Sequence, residues 1–529
     1  MQTWLRNAKR NLGRAVVWAL LGAGAAECRS LLPPGSGKLA SALVTGPIAA
    51  AGAQQAAGKS GGSKPPPSMG RPQGQQDAAW REAMAAAGRA HQRGEHAEAQ
   101  RLYEAALAEA EKLGLRGGRL ATTLNNLGMV EQAQGRFAAA AEHFARALAV
   151  FERERGAEHA DTATVLQNMG LLEQERERPD EAERHFRRGL AIRERALGAE
   201  HLETSATVYN LAETLRAQQR FEEAAPLYRR ALAIREGAAG AGNARVVAVL
   251  NSLAELYRAQ RLFAQAEPLY DRAARILEQA GPAELGALGG VLHNRGILYH
   301  EQGRYAEAEA SLRRALALRE KEFGAEDARN GVTVKVLAET YQAQGRYAEA
   351  EALFARALAV LEKTGGGEGH AAAALEGRAA TLHFLGRYAE AEPLLLRALA
   401  NREKQREEAA GESRRAGLPD EPPAGGWRAG AGSPGYGAGR KAAARNAEAI
   451  ASALNQLAEL YRGWGRPTQA AGAYERLLAW QEKTLGPQNA AVAVTLCNMA
   501  ETLREAGRGE EAARAEARAR GIREKLKNQ

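Results

Sequence analysis

Residues 345–358 read GRYAEAEALFARAL, and their spacing decides the fold. Gly345 and Arg346 punctuate the chain, and Tyr347 follows. Ala350 comes three residues after the tyrosine, Phe354 seven after it, and Ala338 stands nine before it. The same pattern recurs on both sides. The aromatic slot falls at His96, Phe137, Pro179, Phe221, Phe263, Tyr305, Tyr347, Tyr388, Pro467 and Gly509, in steps of 41 or 42 residues and one of 79. Ten copies are visible. Alanine holds the third place after the slot in all of them, from Ala99 to Ala512, and Gly or Ala always holds the ninth place before it, from Ala87 to Ala500.

Small residues let two helix axes approach, and the large residue seven after the slot fills the space beside them. Each unit therefore reads as a helix hairpin: helix A, a tight turn at the glycine, then helix B. Pro226, Pro268 and Pro393 fall in first turns of B helices, where a missing N–H costs least. Aromatic residues make up only 5% of the chain, and no β-branched run of period two is present, so no sheet is expected. The predicted fold is all-α, an α-solenoid. One hairpin cannot bury its own apolar face, so stacked copies share a continuous core. The last B helix, about 510–527, is charged residues and alanine, which suits a solvating end cap.

The spacing of small, small, aromatic, Ala and Ala residues resembles the tetratricopeptide repeat. The 42-residue period and the stretch LAIRERALGAEHLETSATVYNLAETL are similar to the longer repeat of kinesin light chains. The resemblance covers about 80–400 and 446–525. It implies a right-handed superhelix of about ten hairpins with helix A on the concave side, and a protein-binding scaffold. Residues 1–76 hold no heptad run, so the likeness is confined to the repeats.

The net charge of +9 belongs to the start of the chain. Residues 1–76 carry nine Lys/Arg and one acid, Glu27, so the repeats are close to neutral. A nucleic-acid binder needs its basic excess on the folded surface. Residues 1–30 are Arg-bearing and nearly acid-free, the composition of an organellar presequence for mitochondrion or plastid. The readings left open are a secretory signal ending at Ala23-Gly24-Ala25 and an uncleaved tail. Residues 31–76 are Gly/Pro/Ala-rich and read as a disordered linker. Repeats one to eight span 77–403, a Gly/Pro-rich insertion read as disordered spans 404–444, and repeats nine and ten span 445–529. Trp427 and Tyr436 stand out in the insertion.

The stretch LNNLGMVEQAQGRF, 124–137, places two poor helix formers, Asn125 and Asn126, in helix A. With Gly128 as position 8, positions 4, 7, 8 and 11 pack on helix B, and positions 2, 5, 6, 9, 12 and 13 lie opposite. Asn126, Asn168, Asn210, Asn294 and Asn498 hold position 6, and Asn125, Asn251 and Asn455 hold position 5. An amide donates and accepts, so a ladder of amides suits the backbone of an extended peptide. Tetratricopeptide domains use Asn in this way, as the resemblance implies. The alternative is that the amides bond neighbouring helices and set repeat geometry. Position 12 adds Gln132, Gln174, Arg216, Arg258 and His300 to the predicted groove. Glu213, Glu255, Glu459 and Glu501 at position 9 sit three residues before an arginine and are expected to pair with it.

Other motifs yield no chemistry. PPGSGKLAS lacks the first glycine and the Ser/Thr of a phosphate loop. His293 and His300 share a face but are too few for a metal site. His159 and His201 lie in GAEH loops as packing or capping residues. Cys28 and Cys497 exclude a disulfide framework. No catalytic set, cofactor site or metal site is predicted, and the reading is a non-enzymatic scaffold for partner segments. A regulatory or assembly subunit using convex faces is the alternative, with an organellar RNA-binding repeat behind it.

Overall fold

The computed structural model describes residues 78–112, 117–240, 242–365, 368–415 and 437–527. Among them the chain is all helical and forms the expected solenoid of helix hairpins. The helices are α1 (Ala78–Gln92), α2 (His96–Lys112), α3 (Gly118–Ala133), α4 (Phe137–Arg155), α5 (Ala160–Glu175), α6 (Pro179–Ala196), α7 (Leu202–Ala217), α8 (Phe221–Ala239), α9 (Val247–Ala259) and α10 (Phe263–Ala280). They continue as α11 (Leu285–Glu301), α12 (Tyr305–Phe323), α13 (Ala328–Ala343), α14 (Tyr347–Thr364), α15 (Glu368–Phe384), α16 (Tyr388–Arg415), α17 (Gly437–Gly463), α18 (Pro467–Leu485), α19 (Ala490–Glu505) and α20 (Gly509–Lys527). Odd numbers are A helices and even numbers are B helices. The leader and linker read from 1–76 lie outside the described residues, as do Trp427 and Tyr436.

Residues up to Leu256 form one compact unit and those from Tyr257 a second, with Gly437 and Ala438 grouped with the first. In the first unit each B helix also packs on the next A helix: α2 on α3, α4 on α5, α6 on α7. In the second, α10 packs on α11, α12 on α13, α14 on α15 and α18 on α19. The small residues have the role their spacing demands. A Cβ on Gly128 would come within 2.8 Å of the Phe144 ring, one on Gly170 within 2.6 Å of Phe186, and one on Gly296 within 2.6 Å of Leu312. The large residue seven after the slot is thus a knob that leaves no space for a Cβ at these three glycines.

Each A helix ends in the same turn. At Gly345 (φ +77°) the Arg346 amide donates to the Tyr341 carbonyl and the Gly345 amide to Gln342, both over 2.9 Å. This double bond pattern around a left-handed residue satisfies the last carbonyls of the helix. Three copies lack the glycine and hold Glu177, Gln219 and Arg261 at φ +57°, +65° and +59°.

The arginine of the turn then stitches repeats together. Arg346 donates to Glu309 on the preceding B helix over 2.8 Å and to Glu349 on its own B helix over 2.6 Å. Its guanidinium lies 3.7 Å over the Tyr341 ring, whose hydroxyl donates to the other oxygen of Glu309 over 2.8 Å. One repeat earlier, Arg304, Glu267, Glu307 and Tyr299 form the same set. The Gly-Arg punctuation is therefore a turn and an inter-repeat contact in one.

The predicted insertion is shorter than 404–444. Helix α16 continues to Arg415 and α17 begins at Gly437, leaving 416–436 outside the described residues. Residues 401–408 are good helix formers, and Lys404 pairs with Glu408 one turn on and with Glu368 of α15. Gly411 ends nothing because the helix around it is already nucleated. Repeats nine and ten stack on the eighth as expected: Leu395 and Leu399 share one core with Ile450, Leu454, Tyr474 and Leu496.

Candidate interaction surface on the A helices

Position 4 and position 7 residues, such as Leu124 and Leu127, are buried against helix B as predicted. Successive A helices also touch one another: α3 on α5, α5 on α7, α11 on α13, and α13 on α15. In each unit they form a continuous wall, and the polar positions of helix A lie along it.

The asparagines of position 6 are not where the sequence placed them. Asn126, Asn168 and Asn210 are 3%, 2% and 6% exposed, and Asn125 of position 5 is fully buried. Position 6 faces the preceding repeat, not a free groove. Asn126 bonds the hydroxyl of Tyr103, the large residue of α2, while burial pushes that phenol up to about 12. In the eighth copy the same position is Gly377, where a Cβ would come within 2.5 Å of Phe354. Asn168 donates to the Asn125 amide over 2.8 Å, and Asn125 donates to Asn126 over 3.2 Å. Asn125, Asn126 and Asn168 thus bond neighbouring helices, which is the structural alternative, whereas the buried Asn210 side chain has an Nδ2 without a hydrogen-bond partner. Asn251, Asn294, Asn455 and Asn498 are half-buried. Asn251 donates to Glu255 over 2.8 Å.

Position 12 also reaches forward to the next repeat. Gln174 donates to Thr214 over 2.7 Å, and Gln132 bonds Glu175. His300 lies 3.1 Å from the hydroxyl of Thr340, and buried Arg258 pairs with Glu301. The expected pairs three residues apart form at Glu213–Arg216 and Glu459–Arg462. Arg258 is reached by Glu301 of the neighbouring A helix. At Glu213, burial opposes the charge, but Arg216 and hydrogen bonds from Ser252, Tyr228 and Arg216 outweigh it and hold the carboxyl below its usual range.

Reading down position 5 reveals a row that a search for asparagine alone misses: Asn125, Gln167, Tyr209, Asn251, His293, Lys335, Glu376 and Asn455. These eight are polar, whereas Met84 and Cys497 hold the position in the first and last copies. Gln167 accepts from Arg193, Tyr209 shares a hydrogen bond of 3.0 Å with Ser252, and Lys335 pairs with Glu339 over 2.9 Å. The signal was available in the repeat register itself.

The side motifs resolve simply. His159 and His201 are N-caps whose Nδ1 atoms accept from the amides of Asp161 and Glu203, each over 3.2 Å. Among the described residues, no group of three His, Cys, Asp or Glu could hold a metal ion, and no helix is long and apolar enough to cross a membrane.

No curated protein sequence matches the chain. Among solved structures it is similar to BtubC (BKLC) from P. vanneervenii, at 24% identity over 47% of this chain and 94% of that one, with a TM-score of 0.37. It is similar to a Podosopora anserina putative kinesin light chain with nearly identical repeats, at 23% identity over 39% and 98% of the two chains and a TM-score of 0.35. It is also similar to the apo form of RapI, at 14% identity over 72% and 97%, with a TM-score of 0.49. The sequence pattern of the tetratricopeptide repeat matches residues 119–195, 168–237, 203–279, 245–321, 330–404 and 449–525. These segments cover more than half of the chain, and the chain belongs to the tetratricopeptide repeat family.

Proposed function

We propose that this chain is a non-enzymatic scaffold that holds extended segments of partner proteins along its A-helix wall. The half-buried polar positions of the wall carry the reading. Asn125, Gln167 and Lys335 are buried and bonded within the stack, whereas Tyr209, Asn251, Glu376 and Asn455 keep part of their surface open. An amide so placed can donate to and accept from the backbone of an extended segment. The half-buried amides Asn251, Asn294, Asn455 and Asn498, with Gln132 and His300 beside them, supply the contacts. The wall is mixed in charge, so segments of either sign are admitted, with backbone pairing as the common element.

Pull-down with the full chain tests this. The Asn251/Asn294/Asn455/Asn498→Ala variant should lose partners that the wild type recovers, with helix content by circular dichroism unchanged. A control variant at the exposed B-helix residues Arg229 and Arg275 should keep them. Loss in the control alone would move the function to the B-helix faces.

A further inference from the structure

His293 is the one member of the position-5 row that the repeat architecture leaves unused. It is fully buried on α11, and neither ring nitrogen has a hydrogen-bond partner. Its electrostatic neighbours come from four other helices: the cations Arg319 of α12, Lys335 of α13 and Arg258 of α9, and the imidazole of His370 of α15. Glu339 pairs with Lys335, and Glu301 with Arg258. Arg319, 4% exposed, donates to the Thr333 hydroxyl over 2.6 Å and to the Arg329 carbonyl over 3.3 Å, both neutral groups. The nearby Asp327 is already held by two bonds from Arg329. A buried guanidinium without its own carboxylate and an imidazole without any partner thus share one place.

Gly289 and Gly290 precede His293 by one turn of α11. A Cβ on Gly289 would come within 2.9 Å of the Arg319 side chain, so that glycine seats the arginine, and the open space lies at Gly290. A Cβ on half-buried Gly290 would meet only the Arg319 Nη2 atom, at 3.9 Å. Every other copy carries a side chain at this position, among them Thr122, Thr164, Val332 and Val494. The sixth repeat alone is hollowed out where the two polar groups converge.

We propose that His293 and Arg319, flanked by Lys335 and Arg258, form an oxyanion site entered beside Gly290 and fitted to a phosphate group. The cations Arg319, Lys335 and Arg258 oppose a metal ion. Arg319 brings no carboxylate of its own to the site, and its guanidinium fork matches the oxygens of a phosphate. Burial, and then Arg319, Lys335, Arg258 and His370, hold the imidazole well below its usual range. A bound anion reverses that balance. Binding then draws one proton from solvent onto His293, and affinity rises as pH falls. The inference stands apart from partner binding, because a free anion suffices to test it.

Sulfate is the probe, since it does not titrate near neutrality. Calorimetry on the full chain, at about pH 6 and about pH 7.5 in buffers of different ionisation heat, reads both affinity and proton uptake. Saturable binding is expected, tighter at the lower pH by up to about tenfold per unit, with uptake of about one proton. His293→Gln should abolish the uptake. Gly290→Val fills the entrance without removing any polar group and should abolish binding while leaving helix content intact. Comparison of inorganic phosphate with a phosphoserine tripeptide then assigns the source, free or carried on a segment. Absence of saturable sulfate binding, or binding that Gly290→Val leaves unchanged, overturns the proposal.

Discussion

The side-chain amide of Asn168 donates to that of Asn125, one repeat earlier, over 2.8 Å, and both side chains are buried. This bond ties α5 to α3 through the A-helix wall. Replacing Asn168 with Ala leaves the buried Asn125 oxygen without that donor. A loss of about 1–3 kcal/mol in urea-unfolding stability is expected. The double variant Asn125→Ala/Asn168→Ala should cost less than the sum of the singles, because neither orphan remains. Additive costs would show that the pair is not coupled.

The left-handed turn positions offer a stabilising change. Glu177 and Gln219 are exposed and sit where most other copies have glycine. A non-glycine residue with positive φ is strained by roughly 1–2 kcal/mol. Glu177→Gly and Gln219→Gly should each raise the thermal midpoint, even though glycine loosens the unfolded chain. A fall in the midpoint would mean that these turns are not left-handed in solution.

Tyr341→Phe isolates the stitch at repeats six and seven. The ring stays under Arg346, while the hydroxyl's bond to Glu309 and the bond it accepts from Arg313 are lost. A cost of about 1 kcal/mol is expected. In a Glu309→Gln background the same change should cost less, since the charge-assisted part of the bond is already gone. Equal costs in both backgrounds would remove Glu309 from the stitch.

Acid should weaken the fold before carboxylates titrate. Burial holds His293, His300, His383 and His185 below the ordinary imidazole range in the folded chain. Below about pH 6.5 the unfolded chain takes up protons that the folded chain refuses, so stability falls as pH drops through that window. Each such histidine contributes at most about 1.4 kcal/mol per pH unit. His293→Gln should flatten the decline between about pH 6.5 and about pH 5. An unchanged slope would show that His293 is charged in the folded state.

The hairpins, their number and their stacking were legible because they rest on a repeated volume rule: Gly or Ala opposite a large B-helix residue. The groove was less so. Counting asparagines pointed to position 6, yet the helical wheel shows only which side of helix A faces its own B helix. The preceding B helix, with Tyr103 against Asn126 and Phe354 against Gly377, closes over position 6 from a direction that the wheel omits. Gly377 in an asparagine column was the available hint. Likewise, Gly411 suggested a break, but the pairing of Lys404 with Glu368 and Glu408 extends α16 past the repeat boundary.

Site-specific photo-crosslinking tests the scaffold reading most directly. A photoreactive side chain at Asn455 or Gln132 on the A helices, and in parallel at Arg229 or Arg275 on the B helices, would be activated in the full chain inside cells. Adducts to partner segments from the A-helix sites, and few from the B-helix sites, are predicted. Adducts confined to the B-helix sites would contradict the account.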